Sequence, residues 1–329
     1  MKKFFAILLS CLLLLTAGCT AKPKATENTQ TELFAPAEFR ICSLKGPTSM
    51  GLAGLLDDSE ADNTYEANIV TGADEVTAAL VSGKADIAML PANAAATLYQ
   101  KAGGFKVVAV NTLGVLYVVE NGDTVHSLED LAGKTVCLTG KGTTPEYALR
   151  DLLAAHGMDD KVTLEFKSEP AEVISAMTSE TAVIGLLPQP FVTSAQIQNE
   201  KLRIALDLTE EWSNSFPGSQ MVTSVTVIRD EILDTYPAQV KLFLTEYDAS
   251  IDYVNQNPAQ AAKWIEAAGI VPKAAVAEKA LPGCHLVCIT GEEMKVLLSG
   301  YLQTLFERNP DAVGGGMPDD GFFYTEIWR

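Results

Sequence analysis

The sequence is poor in histidine and in basic residues, and both shortages limit what the protein can do. Its three histidines are His126, His156 and His285, and 24 lysines and arginines face 42 acidic residues, which gives a formal net charge of −18. A protein that binds duplex nucleic acid needs a clustered basic face to neutralise phosphates, and the sequence has no such run. Nucleic acid is therefore not an expected partner.

Apolar runs long enough to span a bilayer are also missing. The longest N-terminal run, residues 4–15, falls short of the roughly 18–20 apolar residues that a membrane helix needs. It follows Lys2 and Lys3 and precedes Thr16-Ala17-Gly18-Cys19. A basic head, a short apolar stretch and small residues at the end are typical of a secretory signal. The sequence therefore predicts a signal peptide over residues 1–18.

Thr16-Ala17-Gly18-Cys19 resembles the lipobox of bacterial lipoproteins. The resemblance implies cleavage before Cys19 and acylation of its sulfur, with palmitate as one of the chains, although an aliphatic residue is more usual where Thr16 stands. Residues 20–37, rich in Thr, Ala, Lys, Pro and Glu, read as a flexible tether. We expect an extracytoplasmic protein held by lipid on the outer face of the cell membrane. The alternative is an ordinary signal peptide with an incidental cysteine.

Four cysteines remain in the body of the chain: Cys42, Cys137, Cys284 and Cys288. They permit three disulfide pairings, and the sequence does not choose among them. Cys42 and Cys137 lie inside apolar runs, which favours buried free thiols. Cys284-His285-Leu286-Val287-Cys288 carries metal-ligating residue types, but a structural zinc site needs a second ligand pair. We therefore expect no metal and no cofactor.

The rest of the chain has the composition of a folded α/β protein. Of its 329 residues 47% are hydrophobic and 20% charged, enough for about two domains with their own cores. Strand-like and helix-like patterns alternate, which favours layers of helices on mostly parallel sheets.

The alternation occurs twice with the same plan. Strand-like runs at 39–44 and 86–90 end at Gly- and Pro-containing turns before helices, and so do runs at 134–139 and 182–187. The spacing is also repeated, since Gly46 to Pro91 is 45 positions and Gly142 to Pro188 is 46. The sequence therefore predicts two lobes of one design.

Such a plan favours a ligand site at the four strand ends. In open α/β sheets, ligands bind beyond the carboxyl ends of the strands, where helix N-termini offer unpaired N–H groups and partial positive charge. Thr48, Ser49, Thr143 and Thr144 could equally be plain N-caps. Glu146, in the first turn of a helix, either faces solvent or points into the cleft, where it would repel an anion.

Several segments together resemble a family of transport proteins. They are the lipobox, Lys45-Gly46-Pro47-Thr48, residues 83–88 (GKADIA), residues 127–135 (SLEDLAGKT) and the late 236–258 helix pattern. This combination is similar to the solute-binding lipoproteins of ABC importers, in the nitrate, sulfonate, taurine and thiamine-precursor branch. The resemblance covers nearly all of the mature chain.

The resemblance implies an α/β fold of the bilobal periplasmic-binding-protein type II, whose lobes close on a solute like a hinged clamp. Lobe 1 would comprise 38–114 plus 221–329, and lobe 2 would comprise 115–220. Transferred loop by loop, the resemblance implies ligand contacts at Thr48, Ser49, Met50, Asn93, Thr143, Thr144, Gln189 and Gln220. It also implies a monomer without catalytic residues that works with ABC permease and ATPase subunits.

The sequence does not decide which solute the protein binds. A sulfonate, a small anion such as nitrate, and a pyrimidine-like heterocycle all suit helix N-termini, although no arginine cluster marks a strong anion clamp. Two other functions also stay open: a sensory or surface receptor of the same fold, and an enzyme similar to those that make the thiamine pyrimidine. The enzyme is disfavoured because the chain lacks the cysteine-rich segment of that family and has no well-placed histidine for a catalytic triad.

Overall fold

Strands and helices alternate through the part of the chain that the structure, a computed structural model, describes: residues 35–58, 61–179 and 184–326. The predicted signal peptide, Cys19 and residues 20–34 of the tether lie outside these ranges. The strands are β1 Glu38–Leu44, β2 Thr64–Val70, β3 Ile87–Pro91, β4 Phe105–Leu113, β5 Leu116–Asn121, β6 Thr135–Leu138, β7 Thr163–Phe166, β8 Ile184–Pro188, β9 Leu202–Asp207, β10 Val222–Arg229 and β11 Leu286–Ile289.

The α-helices cover the faces of the sheets and form most of the C-terminal third. They are α1 Pro47–Met50, α2 Ala53–Asp57, α3 Ala73–Val81, α4 Ala92–Lys101, α5 Thr144–Ala155, α6 Pro170–Ser179, α7 Phe191–Gln198, α8 Leu208–Ser215, α9 Asp230–Thr235, α10 Pro237–Gln256, α11 Pro258–Ala267, α12 Ala274–Ala280 and α13 Gly291–Arg308. Short 3-10 helices lie at Leu128–Leu131, Leu281–Gly283, Pro310–Val313 and Asp320–Phe322.

The strands form two sheets, one in each lobe. The first has the order β11-β4-β10-β3-β1-β2 and the second the order β7-β6-β8-β5-β9. In the first, β1 pairs in parallel with β2 and β3, while β10 is antiparallel to β3 and β4. In the second, β6 pairs in parallel with β7 and β8, while β5 is antiparallel to β8 and β9. The fold class predicted from the sequence, α/β with two lobes, is confirmed.

The predicted internal repeat is also confirmed at the level of topology. The order β2-β1-β3 of the first sheet recurs as β7-β6-β8 in the second, and each of these strands follows or precedes an equivalent helix. Parallel strands are buried on both faces because their crossover helices cover them. Accordingly, the side chains of residues 87–90 of β3 and 184–187 of β8 are all buried.

The chain passes between the sheets at two adjacent segments. The first crossing is Gly114-Val115, between β4 and β5, and the second is residues 216–221, between α8 and β10. Gly114 packs on α8 and on the second crossing, because a Cβ placed on it would lie 2.1 Å from Thr209 Oγ1 and 3.0 Å from Met221 Sδ. A side chain at position 114 would therefore push the first crossing away from both.

The C-terminal helix α13 packs against both lobes. Its buried side chains, among them Leu298 and Leu305, join one apolar cluster with Val107 of β4 and with Leu149 of α5. The buried ring of Trp212, on α8 of the second lobe, lies 5.5 Å from the ring of Tyr301 on α13. Apolar packing through α13 thus links the two lobes.

Cys42, Cys137, Cys284 and Cys288 form no disulfide within the described part of the chain, and Cys42, Cys137 and Cys284 are buried. The buried, reduced state predicted for Cys42 and Cys137 is confirmed. None of the helices among the described residues combines the length and the apolar character that crossing a bilayer requires.

Candidate functional site

The four predicted strand-end loops meet in pairs across the cleft between the lobes. Gly46 follows β1 in the first lobe, and Pro190 follows β8 in the second. A Cβ placed on Gly46 would lie 4.0 Å from Pro190 Cδ. Gly46 has φ +92°, a conformation that glycine adopts without steric cost. A β-carbon at position 46 would just touch Pro190, so a longer side chain there would meet the loop of the other lobe.

The other two loops are joined by a side-chain hydrogen bond. The Thr144 hydroxyl donates to Asn93 Oδ1 at 3.1 Å. Asn93 lies in the first turn of α4, and Thr144 is the first residue of α5. Two helix N-termini from different lobes thus meet at this point, each with unpaired N–H groups and a partial positive charge. The two lobes therefore contact each other at the loops that follow the strand ends of both sheets.

The loop before α5 is tightly organised by its own residues. Gly142 N–H donates to Glu146 Oε2 at 2.7 Å, and Arg150 Nε donates to Glu146 Oε1 at 2.7 Å. Burial alone would raise the pKa of the Glu146 carboxyl, but these two partners hold it below its usual value. The carboxylate is thus bonded within its own loop and helix.

A second contact between the lobes lies beside β5. The Tyr117 hydroxyl donates to the Gly283 carbonyl at 2.9 Å. The Gln189 side chain is buried and packs against Gly283, where a Cβ would lie 3.1 Å from Gln189 Nε2. Gln189 Oε1 accepts from the Thr193 hydroxyl at 2.9 Å. Its Nε2 group lies beside Gly283 of the first lobe.

The candidate residues on α1 differ in their surroundings. Ser49 is fully buried and donates to the Leu44 carbonyl, with the Ser43 hydroxyl 2.6 Å away. Met50 is also fully buried and belongs to the core of the first lobe. Thr48 is buried at the strand end. Ser49 and Met50 are thus occupied by the fold, and Thr48 is the residue of α1 that we keep as a candidate.

The remaining candidates lie at the rim and at the hinge. Thr143 is exposed, and its hydroxyl donates to the Gly140 carbonyl at 2.6 Å. Neither α1 nor α5 has a side-chain N-cap bond, so plain capping does not explain the threonines there. Gln220 is half-buried in the second crossing, directly before the buried Met221.

The segment from Cys284 to Cys288 contacts the first crossing between the lobes. His285 Nδ1 bonds the Gly114 carbonyl in the first crossing, and Cys284 Sγ lies 3.2 Å from the Ala280 carbonyl. Among the side chains that the structure describes, no three His, Cys, Asp or Glu residues are arranged to hold a metal ion. The segment thus ties the C-terminal part of the first lobe to the first crossing.

These features define a bilobal α/β protein with the periplasmic-binding-protein type II fold. The chain belongs to the NMT1/THI5-like family, whose model matches residues 62–261, or 200 of the 329 residues. The family resemblance inferred from the sequence is therefore confirmed. A comparison with curated proteins finds no match.

Solved structures of transport proteins share the fold. An ABC transporter from Parabacteroides distasonis is 23% identical with a TM-score of 0.76, covering 88% of this chain and 99% of its own. The periplasmic aliphatic sulphonate binding protein SsuA from Escherichia coli is 17% identical with a TM-score of 0.69, covering 89% and 93%. The periplasmic nitrate-binding protein NrtA from Synechocystis PCC 6803 is 12% identical with a TM-score of 0.52, covering 70% and 66%. At these identities the likeness is one of fold.

Proposed function

We propose that the protein is an extracytoplasmic solute-binding lipoprotein. It captures a small solute between its lobes by hinge closure and delivers it to the permease and ATPase subunits of an ABC importer. The observation that carries this proposal is the hydrogen bond from Thr144 to Asn93, which joins the first turns of helices from different lobes. A solute held there would bridge the same two helices and stabilise the closed state.

The residues we assign to the site are polar but carry no formal charge. They are Thr48 and Asn93 from the first lobe, Thr143, Thr144 and Gln189 from the second, and Gln220 at the hinge. Hydroxyls, amides and helix N–H groups orient a ligand by hydrogen bonds without breaking its bonds, which supports binding rather than catalysis. The neighbours named as sulphonate- and nitrate-binding proteins support a small solute as the cargo.

A thermal-shift panel tests solute capture. The soluble body, residues 20–329, is melted with sulfonates, nitrate, bicarbonate, pyrimidines, thiamine and small amines. A solute at about 100 times its dissociation constant stabilises the folded protein by roughly 2.7 kcal/mol, which raises the melting midpoint by several degrees. We expect a selective shift by one chemical class. A flat response from folded protein that carries no co-purified ligand would contradict the proposal.

The lipid anchor is tested separately, in the full chain expressed in a bacterium. Because acylation of Cys19 would hold the protein on the membrane, the wild type is expected in the membrane fraction, with mass spectrometry finding acyl chains on residue 19. Cys19→Ser removes the acylated sulfur, so this variant should leave the membrane fraction. An equal distribution of both proteins would show that no lipid is attached at this position.

A further inference from the structure

Two buried side-chain hydroxyls of the described residues, those of Thr209 and Tyr301, have no hydrogen-bond partner, and the one on Tyr301 lies close to the candidate site. Tyr301 lies on α13 and is 0% exposed, yet its hydroxyl has no hydrogen-bond partner within the described part of the chain. A buried hydroxyl without a partner costs about 1–3 kcal/mol. Proteins rarely keep such groups without a ligand, water or functional reason.

This hydroxyl lies near the N-terminus of α5. The ring of Tyr301 packs 5.5 Å from the buried ring of Trp212 on the second lobe. Burial raises the Tyr301 pKa, and the neighbouring Thr144 hydroxyl, which donates its own proton to Asn93, lowers it, although the two hydroxyls do not reach hydrogen-bond geometry. The unused donor of Tyr301 therefore lies beside the N-terminus of α5 and beside the side-chain pair that joins the lobes.

Charged groups around Tyr301 limit the ligand that it accepts. Asp151, two turns further along α5, is buried with 7% of its surface exposed, and burial raises its pKa to about 7. Its charge acts on Tyr301, while Arg308 at the end of α13 and Asp159 act on Asp151. A carboxyl that is partly ionised at neutral pH disfavours an anion at this place.

We propose that Tyr301 is a specificity-determining residue of the solute site, and that its hydroxyl donates to an uncharged acceptor such as a carbonyl oxygen or a ring nitrogen. The inference rests on the proposed solute-binding function. It adds a residue of α13 to a solute site that is otherwise formed by the four strand-end loops. The solute acceptor supplies the partner that the buried hydroxyl lacks. Removing the hydroxyl should therefore change both the stability of the empty protein and its affinity for the solute.

The first test needs no solute. Tyr301→Phe removes a hydroxyl without a partner, whereas Tyr117→Phe, the matched control, removes one that donates to the Gly283 carbonyl. We expect the empty Tyr301→Phe protein to melt at or above the wild-type temperature, because its apolar replacement leaves no unsatisfied group. The Tyr117→Phe protein is expected to melt lower. A fall of the Tyr301→Phe midpoint equal to that of Tyr117→Phe would overturn the proposal.

The second test measures binding by calorimetry. Cytosine and nicotinamide serve as uncharged acceptor probes, and ethanesulfonate and nitrate as anionic ones. We expect an uncharged probe to bind the wild type and to bind Tyr301→Phe about three- to tenfold more weakly, the effect of one neutral hydrogen bond. Equal affinity of both proteins, or tighter binding of an anion, would overturn the inference while leaving solute capture intact. Failure of every probe would count against both the ligand class and the proposed function, and the melting comparison would still decide the state of the hydroxyl.

Discussion

Replacing Trp212 with alanine is expected to lower the free energy of unfolding by about 3–5 kcal/mol, the range for removing a large buried aromatic side chain. Trp212 is 0% exposed, and its ring lies 4.6 Å from Phe216 and 5.5 Å from Tyr301. Its Nε1 also donates to the Ser219 hydroxyl at 3.0 Å. The substitution would therefore open a cavity between α8, α13 and the second crossing.

The loss is measured by thermal and denaturant unfolding, with a fall of the melting midpoint on the order of 10 °C. Trp264→Ala is the matched control, because Trp264 is only half-buried and contacts Tyr253 near the surface, at 5.1 Å between rings. It is expected to cost about 1–2 kcal/mol. Equal losses in the two variants would contradict the role of Trp212 in fastening α13 to the second lobe.

The repeated α/β plan could be predicted from the sequence because its signals are local. Apolar runs of strand length end at glycine and proline, and a helical pattern follows within a few residues. The strand-like run predicted at 39–44 is β1, which begins one residue earlier, at Glu38. The ends of strands and helices can be predicted to within about a residue here because the turns that set them involve neighbouring residues in the sequence.

The pairing of Asn93 with Thr144 could be predicted only as far as the loops. Strand ends of both lobes were expected at a common cleft, but which side chains meet depends on how far the lobes close. Ser49 and Met50 illustrate the limit. Thr48 shares their sequence context and is also buried, but the Ser49 hydroxyl bonds the Leu44 carbonyl and Met50 belongs to the apolar core of the first lobe. The direction that each side chain takes from a short helix depends on the packing of the whole lobe.

Tyr301 and Gly283 could not be predicted as neighbours of the cleft. Tyr301 lies 157 positions after Thr144 in the chain, and its helical context is that of an ordinary buried aromatic on an amphipathic helix. The contact between Tyr117 and Gly283 spans 166 positions. Such contacts follow from the packing of complete lobes, for which a single sequence carries no local signal.

Gly46→Val is expected to weaken solute binding by about tenfold to a hundredfold, which corresponds to roughly 1.4–2.8 kcal/mol. Gly46 has φ +92°, and its Cα faces Pro190 across the cleft, with 4.0 Å between a Cβ at position 46 and Pro190 Cδ. The methyl groups of valine would extend further and meet the loop of the other lobe. Closure would then require the loops to move apart, at a cost typical of overpacking.

Backbone strain at position 46 must be separated from the effect on closure. Gly315 has φ +87°, and a Cβ there would have no atom within 4 Å. Gly315→Val therefore carries a comparable conformational cost, about 1–3 kcal/mol, at a position outside the facing loops of Gly46 and Pro190, where a new Cβ meets no neighbouring atom. We expect it to lower the melting midpoint while leaving solute affinity unchanged.

The central claim is that a solute is bound by closure of the two lobes on each other. The measurement that tests it most directly is a calorimetric titration of the wild type, Gly46→Val and Gly315→Val with the solute class that stabilises the wild type in the thermal-shift panel. Closure predicts that Gly46→Val alone loses affinity, by at least about tenfold. Wild-type affinity in Gly46→Val, or an equal loss in Gly315→Val, would contradict it.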